Sequence, residues 1–463
     1  MSCQLPDEIL LMIQDHLFWP RQPNLLLVSR RFYQLFLPRL YGSVNLEWAD
    51  ISKKVIPFVR AALRNPEITR SIRDLDLPQI DTWNDKDAPT EDITEVHHLI
   101  CEASHSPEEQ QKWEDDLQRG SIDAWVSLLF LKLENLQGLT IALSAKPEHL
   151  HRILDRAAKS EKPFDSFPIL QHLEDLSIGS RDLRYPFHTD EALPFFQFPS
   201  LRTFRAIEAL ETFHSDETPK EAPQELLGSS SVTTLKLSQS NGKFGMRALI
   251  TSCANLETFE YQHQNLFAKG EFGEDFVPSA FYRPLLTQKH SLTTLRFNDQ
   301  HDDPPYELAA QSSGPNQGVG GSFAEFTALK DLRIRLPNLV GREWQTELSD
   351  LLPCSLEKLY LAHCWDRKFD QLVPQLRTMV SRREQQFPSL REICVEPYCL
   401  ELMSREEFNA PRPPNFNMEA PRMREEDVMK FDVLRGECEQ AGIAFTIQTP
   451  HFMKTMRDFV RGL

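Results

Sequence analysis

The side chains best suited to chemistry by type are a few thiols, imidazoles and cations. Cys354, His363 and Cys364 lie close together and offer the donor types that hold zinc. A closed zinc site needs a second half at matching spacing, and the eight cysteines contain no CxxC pair. Cys394 and Cys399 have no neighbouring histidine, and His97-His98 fit the flank of a helix. The glycine-rich GPNQGVGG at 314–321 lacks the lysine of a phosphate-binding loop, and neither GxSxG nor HExxH occurs. No catalytic residue, metal or cofactor is expected. What remains is a set of cations, Arg205, Lys236, Arg296, Arg333, Arg335 and Lys358, with Tyr360 among them. Arginine forks of this kind bind carboxylates and phosphates.

The segments that carry those cations share one phrase, large-x-x-large-x-large. It reads IRDLDL from Ile72, LQGLTI from Leu136, LEDLSI from Leu173, VTTLKL from Val232, LTTLRF from Leu292, LKDLRI from Leu329 and LEKLYL from Leu356. Looser copies start at Leu201, Leu256 and Leu390. The spacing of two between the last large residues predicts a strand with alternate side chains on opposite faces. Connecting stretches such as Leu372, Leu376, Met379 and Val380 step at helical intervals, so each unit reads as a strand plus a helix. Copies are separated by anything from 24 residues (Val232 to Leu256) to 64 (Ile72 to Leu136), so most units carry insertions.

The phrase resembles the leucine-rich repeat, and in LEKLYLAHC the Cys364 stands where that family places an asparagine or cysteine. The resemblance implies an α/β solenoid, with parallel strands on a concave face and helices outside. The six cations and Tyr360 would then point from that face toward a protein substrate, acidic or phosphorylated. Strands about 4.8 Å apart give ten units roughly 45 Å of surface, enough for an extended peptide or a domain.

The 463 residues are 40% hydrophobic and 26% charged, which suits a large folded core. A net charge of -17 argues against a general nucleic-acid or anionic-membrane binder. The most apolar internal run, AWVSLLFL at 124–131, is far too short to span a bilayer. Dispersed thiols and the lack of a secretory signal before Leu5 point to the cytosol or nucleus.

Residues 5–17, LPDEILLMIQDHL, place Leu10, Ile13 and Leu17 on a helical stripe with Ile9 beside it. A second helix is predicted through Val28, Phe32 and Leu35, with Ser29 as its cap and Pro38 as its end. Three short helices in about 40 residues bury too little surface to stand alone, so a partner is expected. These residues resemble an F-box. The start Leu5-Pro6 followed by acids, the stripe Ile9, Leu10, Ile13 and Leu17, and the phrase Val28-Ser29-Arg30-Arg31-Phe32 match in order. The resemblance implies docking on a Skp-type adaptor, and through it on a cullin scaffold, by Leu5, Pro6, Ile9, Leu10, Ile13, Leu17, Val28, Arg30 and Phe32. The chain would then be the substrate-recognition subunit of a ubiquitin ligase. The alternatives are a non-catalytic repeat scaffold outside ubiquitination and, for the helices, a simple cap over the first repeat.

The expected organisation is a helical module at 1–45, a solenoid at 46–450 and a tail at 451–463. Insertions are expected near 211–231, 301–322 and 404–425, where Pro, Ser, Gly and charge accumulate. Trp113, Leu117, Ile122 and Trp125 predict helices that thicken one side, and FDVLRGECEQAGIAFTI predicts a closing helix, glycine turn and strand.

Overall fold

The computed structural model describes residues 5–17, 19–46, 54–80, 91–143, 147–179, 187–211, 221–263, 276–299, 319–341, 344–398 and 423–448. Most of the three expected insertions, Cys399, 314–318 of the glycine-rich stretch and the 451–463 tail lie outside the described residues. The chain divides into two compact units: Met1–Glu208 with Gln224–Val232, and Ala209–Pro223 with Thr233–Leu463.

The first unit begins with α1 (Asp7–His16), a 3-10 stretch (Trp19–Leu27) and α2 (Arg30–Leu40). Strand β1 (Ser43–Asn45), α3 (Ile56–Arg64), α4 (Pro66–Ser71) and β2 (Asp74–Ile80) follow. Then come α5 (His97–Ala103), α6 (Pro107–Gln118), α7 (Ile122–Phe130), β3 (Gly138–Leu143), α8 (Glu148–Ala158), β4 (Asp175–Gly179) and β5 (Thr203–Ile207). The five strands pair in chain order, all parallel. Trp113, Leu117, Ile122 and Trp125 lie on helices, as the sequence predicts, and are buried. Their indoles lock α6 to α7, Trp113 Nε1 donating to the Ala124 carbonyl at 3.2 Å and Trp125 Nε1 to the Leu117 carbonyl at 3.1 Å.

The second unit carries β6 (Thr234–Ser240), α9 (Arg247–Ser252), β7 (Thr258–His263), α10 (Pro278–Leu286), β8 (Thr294–Asp299) and β9 (Asp331–Arg335). It continues with α11 (Leu336–Val340), α12 (Leu348–Leu351), β10 (Lys358–Trp365), α13 (Phe369–Ser381), α14 (Arg383–Gln386), β11 (Glu392–Tyr398), α15 (Glu425–Gln440) and β12 (Ala444–Ile447). Its seven strands are also parallel and in chain order. The predicted closing elements are present, with Gly442 at φ +69° making the turn from α15 to β12.

All ten copies of the phrase form strands, and their large residues are the core: Leu292, Leu295 and Phe297 are at most 1% exposed. Register puts like on like, Leu295 beside Phe259 and Leu332, and Leu359 beside Leu332 and Ile393. Each strand entry is also stitched by the backbone. The Glu257 carbonyl accepts both Thr293 and Thr294 amides at 2.8 and 3.0 Å, and the Lys330 carbonyl accepts Glu357 and Lys358, both at 2.8 Å. Main-chain bonds of this kind need no particular side chain, which is why the units hold without a regular asparagine. The outer layer varies among the described residues: the 3-10 turn Phe323–Glu325 precedes β9, whereas the 13-residue α13 precedes β11.

Two details differ from expectation. Strand β1, formed by the short SVN, pairs with β2 ahead of the first phrase. Helix α2 runs past Pro38 to Leu40, because a proline so near a helix end costs few backbone bonds. Among the described residues no helix is long and apolar enough to cross a membrane.

Candidate interaction surfaces

Helix α1 starts at Pro6, with Asp7 and Glu8 in its first turn suiting the positive end of the helix dipole. Helix α2 is capped as predicted, the Phe32 amide donating to Ser29 Oγ at 3.2 Å. Ion pairs tie the two helices: Arg31 to Asp7 at 2.5 Å and Arg39 to Asp15 at 2.6 Å. Arg31 also donates to the Leu5 carbonyl at 2.7 Å, and Gln22 Nε2 donates to the carbonyls of Gln14 and Leu17 at the end of α1. Asn65 Nδ2 donates to Tyr33 Oη at 2.6 Å, linking α2 to the start of α4.

This frame decides which apolar residues are available. Leu10, read from the sequence as part of the docking stripe, is 6% exposed, and with Gln14 one turn later it forms the inner side of α1. Ile9 and Ile13 are 41% and 44% exposed, and Met12, which the sequence reading passed over, is 57% exposed. Leu5, Leu27 and Val28 are also exposed, as are Pro6 and Arg30, while Leu17 and Phe32 are half-buried. The Phe32 ring packs edge-on against Phe36. The sequence sets Leu10, Ile13 and Leu17 on one stripe with Ile9 beside it, whereas the structure turns Leu10 inward and Ile9 and Ile13 outward. Sequence spacing alone did not say which of them faces inward.

On the strands, four of the six predicted cations are paired with acids of an adjoining strand. In the first unit Arg205 pairs with Asp175 on β4 at 3.1 Å. In the second, Lys236 pairs with Glu260 at 3.1 Å, Arg296 with Asp331 at 2.9 Å and with Glu260 at 3.6 Å, and Lys358 with Glu392 at 3.3 Å. Register sets Lys236 beside Glu260 and Lys358 beside Glu392, while Arg205 and Arg296 reach diagonally to Asp175 and Asp331 on an adjoining strand. The acids stood in the same phrases, but the sequence did not show them reaching across.

Arg333 and Arg335 on β9 are held differently. The Arg333 guanidinium lies 4.2 Å from the centre of the Tyr360 ring, within cation–π range. Tyr360 Oη donates to Glu396 Oε2 at 2.5 Å, and Glu396 is only 4% exposed. Burial, reinforced by Glu396, pushes the Tyr360 hydroxyl far above its ordinary range, so it stays a donor. Arg335 Nη2 lies 3.2 Å from His363 Nδ1. Burial, with the Arg335 charge second, holds the His363 imidazole well below its usual pKa and therefore neutral. His363 itself sits at φ +50°, at an irregularity of β10 between Leu361 and Cys364.

Cys364 is fully buried and its thiol donates to the Leu361 carbonyl at 3.3 Å. Burial raises its pKa well above the free value, which leaves an inert thiol and not a metal-ligating thiolate. Among the described residues no group of three His, Cys, Asp or Glu side chains is placed to hold a metal ion.

Parallel strands repeating one buried phrase, with a polar face turned outward, define a binding scaffold of the repeat class. Residues 50–410 match the leucine-rich repeat domain, and the chain belongs to that family. Such domains are in general non-catalytic scaffolds that bind other proteins. No curated protein matches the chain.

Proposed function

We propose that the chain is the substrate-recognition subunit of a cullin-type ubiquitin ligase. Its N-terminal helices dock a Skp-type adaptor, and its repeat face holds a protein substrate. The observation that carries this reading is the solvent-facing set Leu5, Ile9, Met12, Ile13, Leu27 and Val28 on α1 and the turn before α2. Six large apolar side chains left in solvent within 24 residues of chain favour a protein-interaction site. The F-box resemblance of the same residues supplies the identity of the partner. Free thiols, both buried and exposed, accord with the cytosol or nucleus as the place of action.

The second reading, a repeat scaffold whose helices only cap the first repeat, draws on the bond between Asn65 and Tyr33. The two readings separate on one experiment. A pull-down with a purified Skp adaptor is expected to retain the wild-type chain and to lose the Ile9→Asp/Ile13→Asp variant, whose changes fall on exposed positions. Equal retention of both would favour the cap.

A further inference from the structure

We infer that the outward face of β8, β9 and β10 carries an oxyanion-binding subsite centred on Arg333, which takes a phosphorylated or carboxylate side chain of a protein partner. The nature of the partner rests on the proposed receptor role; the subsite rests on its own geometry.

Register isolates Arg333 from acids. Its neighbours in the sheet are Arg296 on β8 and Tyr360 on β10, so neither adjacent strand offers it a carboxylate in its own row. The acids one row away are already engaged: Asp331 by Arg296 at 2.9 Å, Glu392 by Lys358 at 3.3 Å, and Glu396 by the Tyr360 hydroxyl at 2.5 Å. Among the described residues Arg333 has its ring contact and no carboxylate at ion-pair distance, unlike Arg205, Lys236, Arg296 and Lys358.

The ring contact suits a binding role. A guanidinium stacked on an aromatic face keeps its N–H edges free for a bidentate oxyanion, and holding its plane in advance reduces the ordering cost of binding. Here the ring is itself fixed by its bond to Glu396. Its flanking positions in the row are a second cation and a ring, Arg296 and Tyr360, so an arriving anion meets no carboxylate at either.

The test uses the full chain labelled at its arginine side chains and titrated by NMR at low salt with blocked tripeptides Gly-X-Gly, where X is phosphoserine, glutamate or serine. Saturable shifts of the Arg333 side chain are expected with phosphoserine, weaker ones with glutamate and none with serine. Response to phosphoserine alone or to both anions supports the subsite and tells a phosphorylated ligand from a merely acidic one. Arg333→Gln should weaken phosphoserine binding by at least about tenfold, and Arg333→Lys, which keeps the charge but loses the fork, should also weaken it. Lys289→Gln, at a cation outside the strands that pairs with Glu325 at 2.8 Å, should leave it unchanged. No response to either anionic peptide, or equal losses for Arg333→Gln and Lys289→Gln, would overturn the inference. Adaptor capture by the N-terminal helices is unaffected by these strand-face changes, so either proposal can fail while the other stands.

Discussion

On α1 three large apolar side chains, Ile9, Met12 and Ile13, face solvent, and the ions act as lashings, Arg31 to Asp7 and Arg39 to Asp15, that hold α1 against α2. On β6 to β11 the outward side chains are polar and the ions run from strand to strand, Lys236 to Glu260 and Arg296 to Asp331. The first surface leaves Ile9, Met12 and Ile13 in water, an arrangement that improves when another protein covers it. The second has already satisfied most of its charges and gains little from nonspecific contact. The contrast teaches that the two surfaces suit partners by different physics: burial of apolar area at the helices, and a few oriented polar groups at the strands.

The sharpest break of this comparison uses buried and exposed residues on the same helix. Leu10→Ala should cost about 2–5 kcal/mol of stability, as buried leucines do, whereas Ile13→Ala should change it by less than about 0.5 kcal/mol. Urea denaturation of the two variants measures this, and equal losses would mean that α1 does not present the face described. Next in size, Tyr360→Phe removes the hydroxyl that the buried Glu396 accepts and should cost about 1–3 kcal/mol. A neutral outcome in the same assay would show that the strand face is not fixed by that bond.

A pH series sharpens the polar side of the contrast. His363 has a folded-state pKa below its unfolded value, so between the two the unfolded chain binds a proton that the folded chain does not. Stability should therefore fall as pH drops below about 6.5. His363→Gln should flatten that fall, and an unchanged slope would exclude His363 as its source. The smallest effects are expected at the exposed pairs. Arg39→Ala and Lys236→Ala should each cost no more than about 1 kcal/mol, and the wild-type contribution should shrink further in high salt. A larger loss at Lys236 would show the strand-to-strand ion pairs to be a main source of stability.

The repeats were legible because their signal is redundant. Each phrase places its large residues two and three apart, and Leu235, Leu295, Leu332 and Leu359 all enter the core as that spacing requires. The closing helix, glycine turn and strand were legible for the same reason, with Gly442 marking the turn. Properties that depend on a second segment were not. Whether Leu10 or Ile13 faces inward is decided by what packs on α1, and whether Arg296 is available is decided by Asp331 on the adjoining strand. Strand β1 was hidden because three residues, Ser43–Asn45, are too few to show a period. The special position of Arg333 emerges only from register, which sets Tyr360 and not an acid beside it.

The central claim, that the N-terminal helices join this scaffold to a cullin ligase, is tested most directly by reconstitution. The purified full chain, a Skp adaptor and a cullin are mixed and resolved by size-exclusion chromatography. The account predicts that all three co-elute and that omitting the adaptor releases the chain from the cullin. Elution of the wild-type chain alone, with adaptor and cullin together in a separate peak, would contradict it.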